Sequence, residues 1–225
     1  MAGFKIHRPN GSVAIDANYF NLALRQSGTH RMTFMEQNTV RRVVFTLATD
    51  QAIIAFRSPY PTFLLNARVG NGQTTFYWGS VSPEDHDLSW WLFDLPQYGQ
   101  KFASGGKLIV RRPQDGQVAF DSRMKYLKVM DFYRPGNTAQ EETRNYGRTP
   151  AVVQVNRAWA QIVQPMQQFQ TREETLSSAV WTSGNSVKDK AAQLRYILRP
   201  WQQGENSINY GGGLPQTMVV DVQDY

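Results

Sequence analysis

The side chains best suited to hold an ion stand together in Pro83-Glu84-Asp85-His86-Asp87, where carboxylates flank an imidazole. Adjacent residues converge on one ion only where the backbone loops around it, as calcium loops do with alternating ligands and a glycine. The segment therefore reads as a solvated acidic turn between two strands. His7 and His30 complete a set of only 3 histidines, and there is no cysteine, which removes thiolate ligands, thiol nucleophiles and disulfides together. No His-Glu-x-x-His, Gly-x-Ser-x-Gly or Gly-Lys-Ser/Thr element occurs. Ser104-Gly105-Gly106-Lys107 leads into a strand instead of a helix N-terminus, so it is a strand-entry turn and not a phosphate cradle. Asp16 and Asp121 recur at equivalent strand ends, where a carboxylate accepts backbone N–H groups of the following turn. No catalytic residue, metal ligand or cofactor is assigned, and the chain is expected to be non-enzymatic.

The aromatic clusters suggest binding rather than catalysis. Phe76-Tyr77-Trp78 and Trp90-Trp91-Leu92-Phe93 place rings on both faces of a strand. One face can fill a core; the other needs a partner. Tyr77, Trp78, Trp90 and Trp91 are thus candidate contacts to a neighbouring subunit, because Trp and Tyr concentrate at interface centres, or to a glycan. Nucleic acid is not expected, since no Arg/Lys cluster brackets the rings. Arg41-Arg42 and Arg111-Arg112 sit at strand edges, where such pairs form ordinary ion pairs or guard an edge.

Strands must position these groups. Val43, Phe45 and Leu47 alternate with Arg42, Thr46 and Ala48, and 51–57, 63–67, 74–78 and 89–95 continue the period-two pattern between turn residues. Such spacing predicts an antiparallel β-sandwich, jelly-roll-like, with no long helix before residue 135. Further on, 138–148 reads as a polar loop, 161–170 carries five Gln, 151–155 and 218–222 read as strands, and 187–198 suits a helix or a strand.

A hairpin is repeated. Phe4 to Asp16 aligns with Leu108 to Asp121, with Asp115 as an insertion, and the match extends to Leu24 and Val129. Arg8/Arg112, Pro9/Pro113, Gly11/Gly116, Val13/Val118, Ala14/Ala119, Asp16/Asp121 and Leu22/Leu127 are identical. Each copy predicts a strand, an Arg-Pro strand end, a Gly turn and a returning strand. The chain divides into a sandwich core over 1–134, containing the repeats at 4–24 and 108–129, and a less regular part over 135–225 that packs on the same sandwich.

At 225 residues the chain can bury a core without staples. The net charge of +6 is spread along the sequence, as a mildly basic surface would be, and aromatics are 12% of residues while charged residues are 19%, a balance that suits sheets and protein contacts. MAGFKIHRPNGS has no signal pattern and no stretch approaches the ~20 apolar residues of a membrane helix, so no membrane insertion is expected.

The phrase Gly106-Lys107-Leu108-Ile109-Val110, continued by Asp115-Gly116-Gln117-Val118-Ala119-Phe120-Asp121-Ser122, resembles a hairpin of uncharacterised siphophage tail-tip and tail-fibre-associated proteins. Gly3-Phe4-Lys5-Ile6 with Gly11-Ser12-Val13-Ala14-Ile15-Asp16 is similar to the same phrase used as an opening. The resemblance covers the first ~130 residues as a pattern built from a common supersecondary unit. This chain departs from it in the added Arg-Arg-Pro and in Asp115, and 135–215 has no counterpart in it. The resemblance implies a structural virion protein of a tailed bacteriophage, made in the host cytoplasm. Its partners would be copies of itself, with a trimer favoured by fibre symmetry, and other tail proteins. Recognition of a host surface glycan is the alternative.

Overall fold

A computed structural model describes residues 5–7, 13–16, 20–34, 40–50, 52–104, 108–136, 140–166, 170–200 and 206–225. Its strands are β1 (Lys5–His7), β2 (Val13–Asp16), β3 (Ala23–Phe34), β4 (Arg41–Leu47), β5 (Ile53–Arg57), β6 (Thr62–Gly70), β7 (Gln73–Ser80), β8 (His86–Asp94), β9 (Ile109–Arg111), β10 (Val118–Asp121), β11 (Val129–Tyr133), β12 (Glu142–Asn145), β13 (Pro150–Asn156), β14 (Trp159–Met166), β15 (Gln170–Ser183), β16 (Ser186–Pro200), β17 (Ser207–Gly211) and β18 (Gln216–Asp221). A single 3-10 turn, Pro96–Tyr98, is the only helical element among the described residues.

Two antiparallel sheets face each other. The first runs β11-β18-β13-β5-β8-β3, and the second carries β4-β7-β6 and then β15, which pairs with β14 and β16. β3 belongs to both, pairing with β8 over Ala23 to Met32 and with β4 at Thr33 and Phe34. Alternate residues from each sheet fill the space between: Phe56, Leu88, Trp90, Leu92, Val152 and Val219 meet Phe45, Leu47, Phe76, Trp78, Val180 and Val187. This is the face-to-face packing of a β-sandwich, as the alternation predicts. The grouping of Val43, Phe45 and Leu47 on one face of β4 is observed.

The opposite face of the first sheet is also covered. Leu24, Ala55, Phe93, Ala151, Val153 and Val220 pack with Leu22, Leu127 and Tyr225. The repeated hairpins are the two small sheets outside the main path. Their registers agree pair for pair: Lys5↔Asp16, Ile6↔Ile15 and His7↔Val13 correspond to Ile109↔Asp121, Val110↔Phe120 and Arg111↔Val118. Both also shift register at the same point, opposite Ala14 in one and Ala119 in the other. The aligned Leu22 and Leu127 meet directly, Leu127 N–H donating to the Leu22 carbonyl at 2.8 Å. Gly116 has the positive φ its turn requires, 69°; Gly11 lies outside the described residues.

The C-terminal part is woven into the sandwich, since β13 and β18 lie between β5 and β11. Residues 187–198 are strand, within β16. Residues 138–148 are not all loop: β12 forms there and pairs with β16, aligning Glu142 with Asp189. Its burial pattern of alternate half-buried and exposed residues is that of a polar edge strand, which hydropathy alone does not separate from a loop.

Beyond its junction with β6, at Val180↔Thr62, the second sheet runs on as a four-stranded arm ordered β17-β14-β15-β16. β13 leads into β14 and β17 leads back into β18, so a ribbon of the first sheet turns a corner and joins the second. Gly212, with φ 80°, makes the corner: a Cβ there would lie 1.6 Å from the Arg157 carbonyl oxygen. Gln154 braces it, accepting the Leu64 N–H at 2.9 Å and donating to the Ser178 carbonyl at 3.0 Å. No helix among the described residues is long and apolar enough to cross a membrane.

Candidate functional site

The four aromatic candidates do not converge. Trp78 and Trp90 are core residues, 1% and 3% exposed. Trp90 stacks between strands at 5.4 Å from Phe45, and Trp78 lies 4.7 Å from Phe56. Gly28 makes room for the Trp90 indole, since a Cβ there would come within 2.8 Å of it. Neither ring presents a face to a glycan or another chain. Trp91 points to the other side of β8 and packs, half-buried, against the second apolar cluster. Only Tyr77 lies on the outer face of the second sheet, half-buried with the Arg68 guanidinium 5.2 Å above its ring.

The polar candidates serve the fold. His86 is buried, its Nδ1 3.2 Å from the Glu84 carbonyl, and desolvation holds the imidazole below its usual pKa. The neighbouring carboxylates turn to arginines, Asp85 to Arg41 at 3.1 Å and Asp87 to Arg31 at 3.2 Å. No cluster of metal-ligating side chains occurs among the described residues. Asp121 takes the role expected of it, accepting the Arg123 N–H at 3.0 Å and its guanidinium at 2.9 and 2.5 Å. Those hydrogen bonds hold its carboxyl down at about 2 despite burial. Arg111 and Arg112 also bind within the chain, to the Gly116 carbonyl and, as a cation over an aromatic face, to Phe20.

The arm has a different character, and its register explains why. Cross-strand partners share a face, so Tyr210, Ala160 and Leu176 lie on one side with Ile208, Ile162, Glu174 and Tyr196. The row Gln164, Arg172 and Leu198, together with Met166, extends it. Along β15 this side continues through Ser178 to Val180, so it is the prolongation of the inner, core-facing side of the sandwich. Here the first sheet offers no second layer, because its own ribbon has merged into the arm. Tyr210 is therefore 76% exposed, Leu198 47%, Met166 47%, Ile208 45% and Tyr196 42%. Leaving such side chains out of a core forgoes about 1.5–3 kcal/mol each.

Charge on this face is self-contained. Glu174 is buried, bound by Arg172 and by Gln193, the latter at 2.5 Å, and Arg172 also lies 5.7 Å over the Tyr196 ring. On the opposite side Glu173 gathers Gln161 at 3.2 Å, Arg199 at 3.4 Å and Arg195 at 3.7 Å, beside half-buried Val163 and Ile197 and buried Thr171 and Ser177. Among the described residues, the side that carries Tyr196, Leu198, Ile208 and Tyr210 is the one left uncovered. At its corner, Ala158, Trp159, Tyr210, Gly211, Gly213 and Leu214 line a cleft of about 420 Å³, with the Trp159 indole lying against Gly211.

Where arm and body meet, Tyr133 reaches from the first sheet to Asp189 on the second, donating its hydroxyl at 3.1 Å. Desolvation raises the Asp189 carboxyl to about 6, against the lowering effect of the Tyr133 hydrogen bond. Burial pushes Tyr133 and Tyr146 up as well; the Tyr146 hydroxyl donates to Asp131 at 2.8 Å.

The sequence carries a partial signal for the arm. Ile208 and Tyr210 alternate with Ser207, Asn209 and Gly211, as in any half-buried strand, whereas Ile162-Val163 and Tyr196-Ile197-Leu198 place apolar residues on both faces. The Gln-rich stretch masked it, and alternation does not state whether a second layer exists. No known protein family, curated protein or solved structure matches this chain.

Proposed function

We propose that this chain is a non-enzymatic structural component of a tailed-phage virion, placed at the tail tip or central fibre. There it joins copies of itself and other tail proteins through protein-protein contacts. The observation that carries the reading is the uncovered apolar side of the arm, a surface that a sheet exposes only where another layer is to be laid on it. The duplicated hairpin, whose two copies keep one register and which resembles siphophage tail-tip hairpins, supports the same setting. The mechanism is geometric: a stiff sandwich holds a projecting sheet at a set angle, and binding completes the missing layer.

Mass spectrometry of density-purified particles of the phage that encodes the chain tests this. Its peptides are expected at a fixed stoichiometry with the tail proteins; particles devoid of the chain overturn the assignment.

A second reading, recognition of a host surface glycan, draws on the corner cleft, where Trp159 and Tyr210 offer rings to a sugar. Binding of a surface glycan that Trp159→Ala abolishes, with the fold retained, would favour it over the first.

A further inference from the structure

We propose that the apolar side of the arm takes the same side of a second copy of this chain, the two arms stacking face to face across a twofold axis. The inference rests on the reading of the arm as an assembly surface and names its occupant.

The first argument is continuity. The arm face is the prolongation of the side that packs on the first sheet at Val180, so what it lacks is a sheet about 10 Å above it. Another arm is a sheet of matching width with an apolar face equally in need of cover.

Charge gives the second. Among the described residues the only ionised groups on this face are Arg172 and Glu174, and they neutralise each other. A copy laid on a copy therefore brings no net charge into the interface, although the chain as a whole carries +6. A polyanion or an acidic partner would seek an excess of positive charge, which this face does not have. Two other exposed aromatic side chains are less suited to self-association. Phe132 shares its edge strand with Asp131, and Phe34 lies beneath the Arg41 guanidinium.

Area is the third. Four strands about 4.8 Å apart and roughly eight residues long at ~3.3 Å each cover on the order of 500 Å². Two such faces bury on the order of 1,000 Å², the lower bound for a specific interface. Met166, Tyr196, Leu198, Ile208 and Tyr210 supply the aromatic and flexible side chains that interface centres favour. A twofold contact forms a pair; a threefold assembly, as fibre symmetry suggests, would need another surface.

The test is light scattering and sedimentation of the purified full chain at several concentrations. A mass that is an even multiple of 25.7 kDa is expected, halved in the double variant Leu198→Glu/Ile208→Lys and unchanged in Val44→Glu, which alters an exposed residue away from the arm. Because the chain lacks cysteine, Tyr196→Cys gives an independent reading that does not depend on the folding of the charged variant. A bismaleimide long enough to span stacked sheets is expected to yield a covalent dimer, and Val44→Cys is expected to yield none. A strict monomer, a trimer, or an even oligomer that ignores the arm substitutions overturns the proposal. A monomer that is nevertheless found in purified particles would leave the virion reading standing. A dimer whose chain is missing from particles would remove that reading and leave the pairing intact.

Discussion

Body and arm are built from the same strands and differ in what lies opposite them. On β15, Val180 is fully buried, while Leu176, two turns of the pleat away on the same side, is only half-buried, and Tyr196 and Leu198 across from Glu174 and Arg172 are exposed. The residue types are those of a core in both places. In the body the facing sides of the two sheets are each other's second layer, and the first sheet is covered on its other side as well, by the hairpin region. In the arm the would-be second layer has been drawn into the sheet itself through the β13–β14 and β17–β18 corner. An apolar alternation therefore marks a face that requires cover, and the topology decides whether the chain supplies it.

The largest effect should separate the two regions outright. Trp90→Ala empties a packed site between the sheets, and a loss of about 3–5 kcal/mol is expected in urea denaturation. In dilute protein Tyr210→Ala should change stability by less than about 0.5 kcal/mol, since a side chain already in water loses little. Equal costs at the two positions would mean that the arm is covered within the chain and would break the comparison.

A smaller effect concerns the layer over the outer side of the body. The Asp121 carboxyl lies near 2, below its unfolded value, so its stabilising effect is complete above about pH 4 and is lost as pH falls from 4 towards 2. Asp121→Asn should cost about 1 kcal/mol at pH 7, solvent screening of the pair taken into account, and almost nothing at pH 2, read from denaturation at the two pH values. A pH-independent loss would show that the turn depends on shape and not on the charge pair.

At the joint of body and arm the sign reverses. Asp189 has its pKa raised to about 6, so the folded state holds the proton more tightly than the unfolded chain does. Its contribution to stability is present below about pH 4 and is lost as pH rises through 6. Asp189→Asn keeps an acceptor for the Tyr133 hydroxyl, and it should match wild type at pH 4 and exceed it by about 1 kcal/mol at pH 8. Wild type and variant running parallel across that range would show that the carboxylate is not desolvated, and the joint would be looser than its packing implies.

Much of the body was legible because its signals are local. Val43, Phe45 and Leu47 alternate, 51–57 is bounded by turn residues, and the hairpin phrase repeats down to the aspartate that closes it. Less legible was β3: Arg25 to Arg31 is polar because its outer side is solvated, and its inner side uses Gly28 and His30 to accommodate rings. Two of the candidate residues, Trp78 and Trp90, are core for a related reason. Phe76-Tyr77-Trp78 and Trp90-Trp91 place rings on both sides of a strand, and nothing local says which ring of each pair faces the other sheet.

By itself the sequence determined a cysteine-free antiparallel β protein with a duplicated hairpin and no recognisable catalytic motif, because period-two hydropathy, turn chemistry and residue inventory act within a few residues. Only the tertiary structure decided which apolar faces are core and which are left open. That choice depends on pairings between strands more than 40 residues apart, such as β14 with β17, and on the single corner at Gly212 that removes one layer. Trp90 and Tyr210 are both aromatic strand residues; whether one fills the molecule and the other waits for a partner is set by what is stacked above them.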